Sequence, residues 1–229
     1  MRLWSLIVAA ALLAGSASAG DRPSLWPIDP ECSWLHVLVY RSGVMARFGH
    51  NHVIRSNNII GQVTMADTGA FAAHVRLPLN ALSVDDADAR KAEGSDFVGD
   101  IADRDRAATR RNMLGPKLLN AGPGDFIDIR TLYIEGQPPD VLVSADIVGE
   151  HFGGDVRFPA TVLVDGRELT ITGEVALSHS DLGLKPYSAA LGMLKVRDEM
   201  TVRFHIVARS DTASRPSDCL SVRESHSDK

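Results

Sequence analysis

An all-β fold is predicted by three observations: eight segments read as strands, six of them alternating apolar and polar residues with a period of two, turn residues separate those segments, and only one stretch reads as helix. The alternation begins after Ser33 and runs to Arg209. A period of two sends successive side chains to opposite faces, so each segment is a strand with one face buried and the other wet.

Residues 34–40 are apolar on both faces, as in a strand covered on its outer side. Residues 59–65 follow a turn at Asn57 and Asn58. Next, Phe71, Ala73, Val75 and Leu77 alternate with Ala72, His74 and Arg76. The pattern then breaks. Residues 86–119 are rich in Ala, Asp and Arg, and 100–114 read as one helix after an irregular lead-in, ended by Gly115 and Pro116. Acids and bases are interspersed along it, which fits a solvated surface better than a polyanion-binding face. Gly122-Pro123-Gly124 is a turn. Alternation returns at Ile127, Ile129, Thr131 and Tyr133, at Val141, Val143, Ala145 and Ile147, and at Val156, Phe158, Ala160, Val162 and Val164. Asp165-Gly166 is a tight hairpin turn into Leu169, Ile171, Gly173, Val175 and Leu177. The last segment alternates Val202, Phe204, Ile206 and Ala208 with Thr201, Arg203, His205 and Arg209. Beyond it, 210–229 turn to Ser, Asp and Pro and are expected to be mobile. A closed barrel, a sandwich and a jelly roll all satisfy this pattern.

The first residues read as a targeting signal: Arg2 supplies a positive start, 3–13 an apolar core, and Ala17-Ser18-Ala19 a cleavage site, so 1–19 are expected to be removed. About a dozen apolar residues fall short of the roughly 20 that span a bilayer. The expected product is periplasmic or secreted, with no transmembrane segment in the mature chain and 20–32 as a lead into the barrel. Of the 229 residues 45% are hydrophobic and 23% charged, which excludes a disordered chain. A mean hydropathy of −0.02 excludes a polytopic membrane protein, and a pI near 5.9 offers no basic surface for nucleic acid.

Chemistry has few footholds. His50 and His52, at i and i+2, share one side of an extended segment, and three readings fit them: a pair of metal ligands, polar contacts at a ligand head with Arg47 nearby, or a hydrogen-bonded turn. His36, His74, His151, His179 and His205 are scattered without a spacing that completes a metal site. No G-x-S-x-G elbow and no Gly-rich phosphate loop is present. No metal and no cofactor is predicted. By residue pattern alone, the inward apolar positions either pack against one another as a solid core or line a cavity.

Gly173 to Tyr187, with its Asp181-Leu182-Gly183-Leu184 turn, and Val196-Arg197-Asp198-Glu199-Met200 before the final strand resemble the YceI-like family of exported proteins. Phe48-Gly49-His50-Asn51-His52 and Leu77-Pro78-Leu79-Asn80-Ala81-Leu82-Ser83-Val84 are similar to that family's early elements. The resemblance covers 33–209 and departs from the family at 86–124, which are longer here. It implies a lipocalin-like eight-stranded antiparallel β-barrel with one helical insertion. It further implies a non-enzymatic protein whose partner is a long-chain isoprenoid, either a polyisoprenoid or an isoprenoid quinone, or another lipid. On that reading the lining is Phe71, Val75, Ile127, Ile129, Val143, Ala145, Phe158, Val162, Ile171, Val175 and Phe204, with Arg47, His50 and His52 at the mouth. The alternative is a histidine-metal enzyme or redox accessory protein on the same barrel. Whether the barrel forms a homodimer stays open.

Cys32 and Cys219 flank the barrel segments, and the first and last strands of an antiparallel barrel meet at one rim. An oxidising compartment permits a bridge between them. A disulfide is the expected outcome, contributing about 4–5 kcal/mol as an upper figure. Thiol titration of the non-reduced protein should find no reactive thiol; two would mean the cysteines are free.

Overall fold

Strands joined by tight turns build one continuous sheet in the computed structural model, which describes residues 23–66 and 68–210. The expected leader, Cys219 and its bridge, and the tail beyond 210 lie outside the described residues. In chain order the elements are β1 (Ser24–Pro27), β2 (Trp34–Ser42), β3 (His52–Ser56), β4 (Ile60–Met65), β5 (Phe71–Pro78) and β6 (Ser83–Val84). Two helices follow, α1 (Ala87–Ala92) and α2 (Asp103–Leu114). The chain then returns to strands: β7 (Phe126–Gln137), β8 (Asp140–Val148), β9 (Gly153–Asp165), β10 (Glu168–Ser178), β11 (Ser188–Ala189) and β12 (Leu194–Arg209). The sheet order is β1-β4-β5-β7-β8-β9-β10-β12-β2-β3-β6, with β11 added to β12.

The sheet curls until its ends meet. β2 pairs with β12 only as far as Trp34 opposite His205. Past that point Ile28, just after β1, takes the position opposite Ala208. The Ile28 N–H donates to the Gly61 carbonyl at 3.0 Å and the Asp29 N–H to the Val207 carbonyl at 2.8 Å, so this corner touches both β4 and β12. Arg209 pairs with Asp29 and with Glu168 across the same seam.

The eight predicted strands are β2, β4, β5, β7, β8, β9, β10 and β12. Four more, β1, β3, β6 and β11, are two to five residues long, too short for a period to declare itself. One of them corrects an expectation: β1 lies inside 20–32, read as a lead, yet pairs with β4 from Ser24↔Met65 to Pro27↔Gln62. The helical region is corrected too. α2 begins at Asp103 rather than 100 and stops before Gly115 as expected, while the lead-in holds a second helix, α1. Asp86 caps α1 by accepting from the Ala89 N–H at 3.1 Å.

α1 explains why β2 is apolar on both faces. Leu38, Val53, Ala89 and Phe97 form a small buried cluster on the outer side of β2 and β3, with Tyr40 against it. Six residues are too few to hold a helix by propensity. Carboxylates on and beside it do the holding. Glu93 accepts from His36 at 2.6 Å and from Arg203 at 2.7 Å, and Asp86 pairs with Arg55 at 3.0 Å. Asp85, just before the helix, pairs with His52 at 2.6 Å and with Arg90 at 2.7 Å. Burial raises the pKa of each carboxyl, but hydrogen bonds and neighbouring charges outweigh it and leave all three below their ordinary values.

A carboxylate whose folded pKa is depressed stabilises fully above its unfolded value, and that stability is lost as pH falls through the folded value. The clamp should therefore hold at neutral pH and fail below about pH 4. Hydrogen exchange across 85–97 should accelerate there before exchange in β9 and β10 does. Glu93→Gln should cost about 1.5–3 kcal/mol at pH 7 and flatten the acid limb of the stability curve; an unchanged limb would remove Glu93 from the clamp.

Candidate functional site

The barrel interior is divided along its length. At the seam end Ile59, Val63, Val162 and Leu169 are at most 1% exposed and belong to one continuous core. Toward the helical end a second cluster gathers Leu79, Met113, Leu119, Phe152 and Leu177. Phe158 and Phe204 pack against both clusters, edge to face with ring centroids 5.7 Å apart. A Cβ at Gly173 would lie 2.5 Å from the Phe204 ring, so that glycine gives the ring its place.

On the helical side of the two rings the packing is incomplete and leaves a cavity of about 400 Å³. Its walls are strand residues, Val37 and Val39 of β2, Ile54 of β3, Ile127 and Ile129 of β7, Leu177 of β10 and Val202 of β12. Met113 of α2, followed by Leu118 and Leu119, closes one side. Leu182 and Leu184 close another, on the turn where Gly183 takes a left-handed φ of 71°. The mouth is formed by Arg41, Gly49, His50, Leu194 and Lys195.

Polar groups on this wall are few. His52 gives its Nδ1–H to Asp85, whose carboxylate is fully buried and also accepts from the Val53 N–H at 3.0 Å. Burial raises the Asp85 pKa, but the His52 hydrogen bond and charge, the Val53 N–H and Arg90 outweigh it; the ionised carboxylate fixes which ring nitrogen donates. Nε2 of His52 is then the nitrogen left for a ligand, and in the neutral ring it accepts. His179, 5% exposed, is fixed in the same sense: its Nδ1–H donates to the Asp198 carbonyl at 2.8 Å. Asp85 sits at a φ of 54°, a conformation aspartate tolerates better than most residues. The wall thus offers two oriented imidazoles, the Arg41 and Lys195 cations, Thr109, Asn112 and Tyr187, on a surface otherwise apolar.

Of the residues expected at a ligand, the structure places Ile127, Ile129, His50 and His52 on the cavity wall. The rest lie off that wall. Phe71, Val75, Val143, Ala145, Val162 and Ile171 pack in the solid core at the seam end, Phe158 and Phe204 pack between the two clusters, and Val175 packs in the second cluster without reaching the cavity. Arg47 is exposed and lies over the Phe48 ring at 4.7 Å, away from the wall. Inward facing is common to all these positions; depth along the barrel separates them. The reading missed Leu177, which continues the inward set of its own strand, and Leu182 and Leu184, which stand in a motif quoted only for resemblance. Met113 and Leu119 lie in the segment assigned no site. For Asp85, 33 residues from His52, no local pattern pointed to the pair.

His50 and His52 have ring centroids 6.5 Å apart, and the Nδ1 of His52 is taken by Asp85. Among the described residues no three His, Cys, Asp or Glu side chains are grouped as metal ligands. No helix among them is long and apolar enough to cross a membrane.

No protein-family model matches the chain, and neither does the sequence of any curated protein. Among solved structures the fold is similar to that of BcnA from Burkholderia cenocepacia, with a TM-score of 0.56 and 14% identity over 79% of this chain and 99% of that one. The likeness is one of fold: a nearly all-β chain whose antiparallel sheet curls as in a lipocalin-like barrel.

Proposed function

We propose that the protein is an exported, non-enzymatic carrier of an isoprenoid lipid, held tail inward in the cavity. The observation that carries this reading is the cavity itself: about 400 Å³ with apolar walls and its few polar groups on one side and at the mouth. A prenyl chain has no polar atoms to be recognised by, so what it needs is a dry preformed space. At about 0.8 kcal/mol per buried CH₂, a five-carbon unit contributes about 4 kcal/mol. A few such units offset an association cost of about 4–15 kcal/mol. Membership of the YceI-like family is part of the same proposal, supported by the motifs quoted above and by the shared fold.

The cavity lies near the lower end of the roughly 300–1,000 Å³ that hold a drug-sized ligand. It takes a short isoprenoid whole, or part of a long one whose remainder leaves through the mouth. The Nε2 atoms of His52 and His179 are the ring nitrogens left for a ligand, which suits a hydroxyl head such as that of a prenyl alcohol or quinol, able to donate or to accept. Extraction of the purified protein followed by mass spectrometry, run beside elemental analysis, tests the reading directly: a prenyl lipid supports it, and a stoichiometric metal without lipid overturns it.

Two sets of variants separate the cavity from the core. Ile129→Trp and Val202→Trp should lower bound lipid with little loss of stability, because the added rings enter existing space. Val162→Trp and Ala145→Phe should cost about 1–3 kcal/mol through overpacking and leave lipid content unchanged. Equal lipid content in all four, with the fold intact, would place the ligand elsewhere.

His52→Ala removes the Nε2 contact to the ligand head, worth about 0.5–1.5 kcal/mol, along with the wall's own bond to Asp85. Affinity for a prenyl alcohol should fall about twofold to tenfold while that for the matching hydrocarbon stays constant. An equal loss for both ligands would assign His52 a structural role only.

A further inference from the structure

Two loops meet at the cavity mouth, residues 43–51 between β2 and β3 and residues 190–193 between β11 and β12. They are in backbone contact: the Met45 N–H donates to the Met193 carbonyl at 3.0 Å, and a Cβ on Gly43 would lie 2.5 Å from that same oxygen. Their tips carry large apolar side chains that stand exposed. Leu191 is 104% exposed, Val44 86%, Phe48 62% and Met193 43%. Leu191 also holds a left-handed backbone, φ 55° and ψ 33°, which costs a leucine strain without any packing in return. A soluble surface gains nothing from such a placement.

Cations bracket these side chains. Arg41 and Lys195 stand on the rim of the cavity, and the Arg47 guanidinium lies over the Phe48 ring. Among the described residues none of the three forms an ion pair with a carboxylate, and Arg41 donates to the Gly49 carbonyl at 2.5 Å. The carboxylates next along β12 are Asp198 and Glu199, and Asp198 is engaged by Ser180. The chain as a whole carries a net charge of −5, so positive charge at this one end runs against the rest of the molecule. We infer that this rim docks the protein on the surface of an anionic bilayer, with Val44, Phe48, Leu191 and Met193 entering the interfacial region while Arg41, Arg47 and Lys195 meet lipid phosphates. Apolar tips flanked by basic residues bind interfaces by this combination of buried area and charge. The acidic remainder is repelled by the same surface, which sets the orientation with the cavity mouth toward the lipid. This docking rests on the carrier reading for its purpose but is measured separately from it.

The test is flotation with vesicles of equal parts phosphatidylglycerol and phosphatidylethanolamine, against vesicles of phosphatidylcholine alone. The protein is expressed with its own leader and purified from the periplasmic fraction. It should float with the anionic vesicles, less so as salt rises, and stay off the zwitterionic ones. Val44→Asp combined with Leu191→Asp should lower the bound fraction about tenfold or more. Both side chains are exposed and clear of the cavity wall, and aspartate suits the left-handed backbone better than leucine, so the fold and prenyl alcohol uptake from detergent solution should be unchanged. A wild-type protein that takes up prenyl alcohol yet stays off anionic vesicles would overturn the docking and leave the carrier reading standing. Flotation without prenyl alcohol uptake would do the reverse. Equal flotation of the double variant would overturn the rim as the contact, and a dimer seen by light scattering that the double variant abolishes, without vesicle binding, would make a second copy of the chain its occupant.

Discussion

The barrel encloses more volume than its own side chains fill: the seam end is a solid core, and the helical end holds the cavity. Protein interiors pack as densely as organic crystals, so every inward position at the seam end has neighbours on all sides. Beyond the two rings that condition lapses. At about 400 Å³ the cavity is far larger than the water-sized voids that ordinary interiors leave. A void of that size is not an accident of loose packing. The solid half supplies the stability that allows the other half to remain open, and Gly173, by admitting the Phe204 ring, belongs to that division as much as the phenylalanines do.

A wall that borders empty space cannot lean on a core, and here it is stiffened from outside. Asp85 is the centre of that support: it holds the His52 ring on the inner wall, the Val53 backbone and the Arg90 side chain of α1 at once. Leu38, Val53, Ala89 and Phe97 add the apolar contact that so short a helix needs. The orientation of the imidazole facing the cavity and the attachment of α1 to the barrel therefore share one buried carboxylate. Removing it would leave a buried arginine without its anion, among the costlier changes a fold can suffer.

Much of this architecture was legible in the sequence, because the face of a strand is written in a period of two and six long segments carry it. The covering over β2 was legible as well, since Leu35, Leu38, Val39 and Tyr40 are apolar whichever way they point. Depth was not. Val162 and Ile129 alternate identically, yet one is locked in the core and the other borders the cavity, because where packing ends depends on side chains from distant strands meeting across the barrel. The four missed strands are too short to show any period, and α1 depends on tertiary clamps more than on its own six residues. His50 and His52 were readable as a pair on one side; that Asp85 would occupy Nδ1 of His52 was not, since the contact spans 33 residues of chain.

The two ends of the barrel are built for different tasks. At the seam, Ile28 and Arg209 join the first strand to the last and the interior is closed. At the other end the strands stop short of closure, and the loops that finish them carry the apolar tips, the cations and the cavity mouth together. An apolar ligand exchanged through water would expose its full surface at about 25 cal/mol per Å² in transit. A mouth that sits against a bilayer removes most of that barrier, whereas a mouth facing away would keep it. Under the proposed carrier role, the placement of the opening and the placement of the uncovered leucine, valine, phenylalanine and methionine are thus two answers to one constraint: a chain that is insoluble in water has to enter and leave without meeting it.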